Sequence, residues 1–249
     1  MKLNDFLKSI TKTNNLPISD AGEWLFYPGM LFGSRAKWWA DWGYRYTPHE
    51  GVDFAFYKTL NKDIGVLDST VMIPAMADGI ILNICDDFLG QSVVIAHGQS
   101  GSDRKYNSKH IQTECSIDKS VIGDKESIIV TAYSHICVDR NLAEVEAHIC
   151  LDKDLIEAEV HICEDRKSNE LGFLSKKKTN NHSSRAGMFI SKGQIIGRIA
   201  DTSMKKSGIL PHLHISFIEI SSATPFNKLN WDLFGNPYCG NVFFLNPLW

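Results

Sequence analysis

From His212 to Phe217 the chain alternates, with His212, His214 and Ser216 in one set of positions and Leu213, Ile215 and Phe217 in the other. A period of two with one apolar set predicts a strand with a single buried face, and both histidines should look away from the core. The segment from Ile128 to Cys137 reads the same way. There, Tyr133, His135 and Cys137 share one face while Ala132, Ser134 and Ile136 point to the other. Further along, Ala143 to Cys150 and Ile156 to Cys163 form a near-repeat in which apolar and polar residues again alternate. Asp152-Lys153-Asp154 supplies a turn between them, which predicts a hairpin, with continuous helix as the competing reading.

The stretches between these patterns are polar. Residues 99 to 127 are rich in Ser, Lys and Asp and predict a long surface loop. Loops of that length are uncommon without a function, so a wall of a substrate groove is the expected role. The run from Lys176 to Ser184 reads as exposed chain. Ahead of residue 47, aromatics concentrate: Trp24, Phe26, Tyr27, Phe32, Trp38, Trp39, Trp42, Tyr44 and Tyr46. Most should pack an amino-terminal arm onto the sheet, leaving one or two to line a groove.

Composition narrows the class. With 249 residues, 43% of them apolar, the chain can build one sizeable core or two small ones, and all-β domains often use this length as one unit. A formal net charge of −3 leaves no basic footprint, so no nucleic-acid partner is expected. No apolar run is long enough for a transmembrane segment. The stretch from Met1 to Ile10 lacks the continuous apolar core of a secretory signal. The six cysteines contain no Cys-x-x-Cys pair and leave the redox compartment open.

The candidate chemistry lies in three fragments: His49-Glu50-Gly51-Val52-Asp53, Tyr133-Ser134-His135 and His212-Leu213-His214. Zinc accepts imidazole nitrogen and carboxylate oxygen, and a catalytic site uses three protein ligands with a fourth position open. Four histidines and one aspartate therefore leave two histidines for proton transfer. His49 and Asp53, four apart, face the same way on a strand or a helix. Strand geometry puts His212 and His214 on one face and does not say which of them binds metal. Other histidines have ordinary readings: His97 ends a strand, and His110 and His182 sit among Ser, Asn and Lys. The hairpin carries two His-x-Cys pairs, but pairing Leu151 with Ile156 sets His148 opposite Glu159 and Glu146 opposite His161, so cross-strand ion pairing is the better account than a second metal.

These fragments resemble those of the LytM/lysostaphin-type zinc endopeptidases, peptidase family M23. Thr47 to Asp53 resembles the H-x-G-x-D opening, and Val71 to Gly79 the P-V-x-A-x-x-D-G strand and turn. Ser92 to Gly98 resembles the strand that follows. Thr131 to Ile136 matches T-x-Y-x-H-L, Lys192 to Gly197 matches K-G-Q-x-I-G, and Pro211 to Ile215 matches P-H-L-H-F, with Ile for the final residue in the first and last of these. Residues 241 to 247 would close the sheet. The resemblance implies a mainly β fold, an antiparallel sheet or sandwich core with long loop insertions. It implies an aromatic-rich arm over 1–46 and a peptidase domain over 47–249, with insertions at about 99–127 and 138–190.

Carried residue by residue, the resemblance implies one Zn2+ ion held by His49, Asp53 and His214, with His135 and His212 as catalytic histidines. The implied activity is endopeptidase cleavage of a peptide substrate in peptidoglycan stem or cross-bridge, and the implied location is the cell envelope or outside it. Tyr133 would support the catalytic histidines or simply pack, and Cys137 is expected to be a small buried side chain. Two departures, Ser216 where a glutamate is common and Ser207-Gly208-Ile209-Leu210-Pro211 in place of S-T-G-P, are expected to alter the rim of the site. The competing functions are a non-catalytic binding or regulatory module of the same fold and a structural zinc protein.

Overall fold

The computed structural model describes residues 3–18, 23–40, 42–97, 127–139, 142, 187–203, 208–236 and 242–247. Helix α1 (Leu3–Thr13) opens the chain, followed by β1 (Trp24–Leu25), β2 (Val52–Phe54), β3 (Phe56–Lys58), β4 (Ile64–Val66) and β5 (Met72–Pro74). Then come β6 (Gly79–Asp86), β7 (Gln91–His97), β8 (Ser127–Val138), β9 (Phe189–Ile190), β10 (Ile195–Ile199), β11 (Leu213–Ser221), the short helix α2 (Trp231–Phe234) and β12 (Val242–Leu245). The expected mainly β, antiparallel architecture is what the chain adopts. Among the described residues the strands form a nine-stranded sheet with the path β12-β11-β8-β7-β6-β9, and a small sheet β1-β3-β4. β12 pairs antiparallel with β11, so the expected closing strand is present.

Alternation along the central strands separates two cores. Leu213 and Ile215 of β11, Tyr133 of β8 and Val93 and Ile95 of β7 face one side, where Phe6, Leu7 and Ile10 of α1 cover them. Helix α1 docks because these three residues recur at helical spacing on one stripe, with Asp5 in its first turn and Lys12 in its last. On the opposite side, Ile218 and Ile220 of β11, Val130 and Ala132 of β8 and Val94 of β7 lie under Phe226, Leu229 and Phe234. His214 and Ser216 share this second face with Ile218 and Ile220. They do look away from the first core, as the pattern predicts, but both are buried: the Trp231 ring meets His214, and Gly51 closes on His214 and Ser216.

The alternation of β8 breaks at the site. Gln91 pairs with Ile136 and Val93 with Tyr133, so Ser92 alone opposes Ser134 and His135. This is a β-bulge, and His135 carries it with a left-handed φ of 62°. The expectation that Tyr133 and His135 share a face, with Ile136 opposite, is therefore corrected. Tyr133 and Ile136 both enter the first core, whereas His135 turns to the side of His214. A bulge adds one residue to the phase, which strict alternation cannot anticipate.

β2 lies along the free edge of β11, with His214 opposite Asp53 and Ile215 opposite Val52. Gly51 makes this approach possible: a Cβ there would lie 2.2 Å from the Ile215 carbonyl oxygen and 2.8 Å from His214 Nε2. The expected loop at 99–127, the hairpin over 143–163, the polar run at 176–184, and His110 and His182 fall outside the described residues. The described flanks of the first, His97 and Ser127, lie at the end of β7 and β8 remote from His135. Among the described residues no helix is long and apolar enough to cross a membrane.

Candidate metal centre

Strand β2 delivers Asp53, the loop before it delivers His49, and the start of β11 delivers His214. Their side chains are 2–7% exposed. Asp53 Oδ1 lies 2.8 Å from His214 Nδ1 and 3.2 Å from His49 Nε2, and the two nitrogens are 3.1 Å apart. Among the described residues this is the one His/Asp group whose ligand atoms gather in this way. Tetrahedral coordination at zinc bond lengths of ~2.0–2.1 Å separates ligand atoms by roughly 3.3 Å, close to the triangle observed.

The atoms turned away from this triangle are occupied. His49 Nδ1 is 3.2 Å from the Leu31 carbonyl, which can only accept, so that nitrogen carries the proton and Nε2 offers a lone pair. His214 Nε2 is 2.8 Å from Ser216 Oγ. Asp53 Oδ2 accepts the Trp38 indole N–H at 2.6 Å and lies 3.6 Å from the Arg45 guanidinium. Such outer partners fix ring orientation and ligand basicity in metal sites. A proton on His214 Nδ1 satisfies part of the triangle, whereas a divalent cation satisfies all three atoms at once. The donor set and its surroundings fit a metal of zinc's preferences.

Burial alone would raise the pKa of Asp53, but the charges of His49 and His212 and the hydrogen bonds from His214 and His49 outweigh it and hold the carboxyl well below its ordinary range. Arg45 is drawn down by burial, against the pull of Asp53 and Glu50. Its guanidinium also lies 4.6 Å from the centroid of the Trp39 ring.

The two remaining histidines border the triangle. His212 Nε2 is 3.8 Å from Asp53 Oδ1, and its Nδ1 donates to the Leu210 carbonyl at 2.8 Å. Burial is the main cause that lowers its pKa to about 4, with His135 and His214 pushing the same way against Asp53. Trp38 meets the His212 ring edge-on with centroids 5.0 Å apart. The His135 ring is 4.8 Å from that of His212 and 5.6 Å from that of His214. All five residues read from the sequence thus converge, and it is His214, not His212, that completes the three-atom group.

Some features were not legible in the sequence. Asp87, in the turn between β6 and β7, binds His135 through its backbone N–H at 2.9 Å and its Nδ1 at 3.0 Å. In sequence, Asp86-Asp87-Phe88-Leu89-Gly90 carries only a turn signal. Trp38 belonged to the aromatic arm, with nothing to mark it as the partner of Asp53. The two departures expected to alter the rim also touch histidines of the site: Ser216 Oγ lies against His214 Nε2, and the Leu210 carbonyl accepts from His212. Tyr133 is a packed aromatic whose hydroxyl accepts the Met76 N–H at 2.9 Å. Cys137 is half-buried rather than buried, and its thiol is free.

No family model matches the chain, and no curated protein matches it. Among solved structures it is similar to the "NMR solution structure of lysostaphin", with 12% identity and a TM-score of 0.33, over 82% of this chain and 46% of that one. The chain therefore spans about half the length of that protein. The candidate metal centre stands on its own geometry.

Proposed function

We propose that the protein is a zinc-dependent endopeptidase of the M23 type that cleaves peptides of peptidoglycan stem or cross-bridge. In this reading residues 47–249 are the catalytic domain, with residues 1–46 as an aromatic arm and insertions at about 99–127 and 138–190. The observation that carries it is the convergence of His49 Nε2, Asp53 Oδ1 and His214 Nδ1 beside two further buried histidines that border the triangle without completing it.

His49, Asp53 and His214 would hold one Zn2+ ion. When bound, such an ion lowers the pKa of water toward ~7 and polarises a carbonyl. The chain supplies the remaining steps. His212 has its Nδ1 committed to Leu210, so the lone pair on Nε2 faces the site and serves as the base that takes the proton of the attacking water and returns it to the leaving amine. His135, with Nδ1 committed to Asp87, presents Nε2–H in its protonated form as a donor to the oxyanion. Two spare imidazoles beside a metal have no use in a purely structural zinc site, which favours the enzyme over its competitors.

Zinc analysis of the purified chain combined with a turbidity assay on purified cell walls tests the reading. Stoichiometric zinc with lysis is expected, and mass spectra of the released peptides identify the bond. Zinc without lysis points to a binding module or a structural zinc protein, and absence of zinc removes the proposal.

A further inference from the structure

Asp87 accepts more hydrogen bonds than a turn requires. Oδ1 takes the N–H groups of Leu89 at 2.9 Å and Gly90 at 2.7 Å, which is enough to close the β6–β7 turn. Beyond these, Oδ1 lies 3.0 Å from His135 Nδ1, while Oδ2 takes the His135 backbone N–H at 2.9 Å and the Ser92 hydroxyl at 2.8 Å. Ser92 is braced in turn by the Trp231 indole N–H at 2.8 Å. The carboxylate is 2% exposed. Every partner is a donor, so both oxygens must remain acceptors.

This arrangement sits at the bulge of β8. The bulge turns His135 out of the first core, but leaves open the rotation of its ring and the nitrogen that carries the proton. Asp87 sets both. One oxygen grips the backbone N–H and the other the ring, so the imidazole is fixed at two points from one side chain. On the other side the Phe88 ring packs edge-on against it with centroids 4.7 Å apart.

We propose that Asp87 is a positioning residue for catalysis: it locks His135 with its proton on Nδ1 and so aims Nε2 at the site. This rests on the reading of His135 as a catalytic histidine. An ionised carboxylate cannot donate, so Nδ1 must hold a proton whether the ring is neutral or charged. An asparagine can offer its NH2 group to Nδ1 instead, and the ring proton then moves to Nε2. In this exchange the Nδ1–H bond is broken and an Nε2–H bond formed, the proton passing through solvent, so the neutral ring keeps one proton in both proteins.

The test is 15N NMR of the imidazole rings in the full chain, native and Asp87→Asn, with His135 assigned by the signals lost in His135→Ala. Steady-state kinetics on cell-wall peptide accompany it. The native ring is expected to carry its proton on Nδ1 and the Asp87→Asn ring on Nε2. Without a carboxylate to balance a doubly protonated ring, the charge-assisted Nε2–H donor is lost and kcat should fall roughly 10²–10³-fold, while KM stays within about threefold. A native His135 protonated on Nε2 alone overturns the proposal, and that measurement needs no variant to fold. A ring left unchanged by Asp87→Asn also overturns it. Both results are readable in a chain that cleaves nothing, so loss of the peptidase reading and loss of the Asp87 role are separate outcomes.

Discussion

Trp38 donates its indole N–H to Asp53 Oδ2 at 2.6 Å, leaving Oδ1 to face His49 and His214. A residue of the aromatic-rich stretch ahead of residue 47 thereby occupies one oxygen of the central carboxylate and leaves the other turned to the two histidines. Trp38→Phe keeps an aromatic ring but removes that donor. Zinc affinity is expected to fall about 10–100-fold, read by competition with a chromogenic chelator. An unchanged affinity would mean that Arg45 alone orients the carboxylate.

Gly51 lets β2 close on β11. In Gly51→Ala the new methyl would meet the Ile215 carbonyl, Ser216 Oγ and His214 Nε2, all nearer than 3.0 Å. Because one of these is backbone, β2 must move away, and the pairing of Asp53 with His214 loosens. A destabilisation of ~1–3 kcal/mol is expected in urea unfolding, together with weaker zinc binding. Native stability with native affinity would contradict the close approach.

Asp87 gives a pH signature. Burial alone would raise its pKa, but the hydrogen bond and charge of His135, with the N–H groups of His135 and Gly90, hold it below the ordinary value. The unfolded chain therefore takes up the proton first. The stabilisation is complete above the unfolded pKa of ~3.9 and is lost as pH falls from there through the lower folded value. The stability gap between native protein and Asp87→Asn should thus be widest near neutrality and shrink below ~4. Denaturant titrations of both proteins across this range check it, and a gap independent of pH is the contrary result.

His212 and His214 lie two residues apart and should fail differently. His214→Ala removes a ligand atom and is expected to lose zinc. His212→Ala should retain most of the zinc and lose cleavage, as seen by metal analysis beside a cell-wall turbidity assay. A His212→Ala protein that still cuts would reverse the division of labour between His212 and His135.

Tyr133→Phe tests a structural role. The ring fills the first core against Phe6, with centroids 6.0 Å apart, and phenylalanine would preserve that contact. The Met76 N–H would lose its buried acceptor, at a cost of about 1–3 kcal/mol. Stability should drop by that amount in thermal or urea unfolding while zinc affinity is retained.

The sequence determined the strand pattern and the residue types of the site. Alternation in His212–Phe217 locates β11, and the run from His49 to Asp53 supplies two candidate ligands because chemistry restricts which side chains zinc accepts. Both are local properties, read within a few residues. Tertiary structure alone decided the rest. Asp87 meets His135 across 48 positions and Trp38 meets Asp53 across 15, and no periodicity links such partners. The bulge that turns His135 toward the site is set by register between β7 and β8, so neither strand records it alone. Strand periodicity leaves open which of His212 and His214 joins Asp53; the motif resemblance points to His214, and the distances agree. Both project from one segment, and only the pairing of β2 with β11 brings His214 Nδ1, rather than His212, within hydrogen-bond distance of the carboxylate.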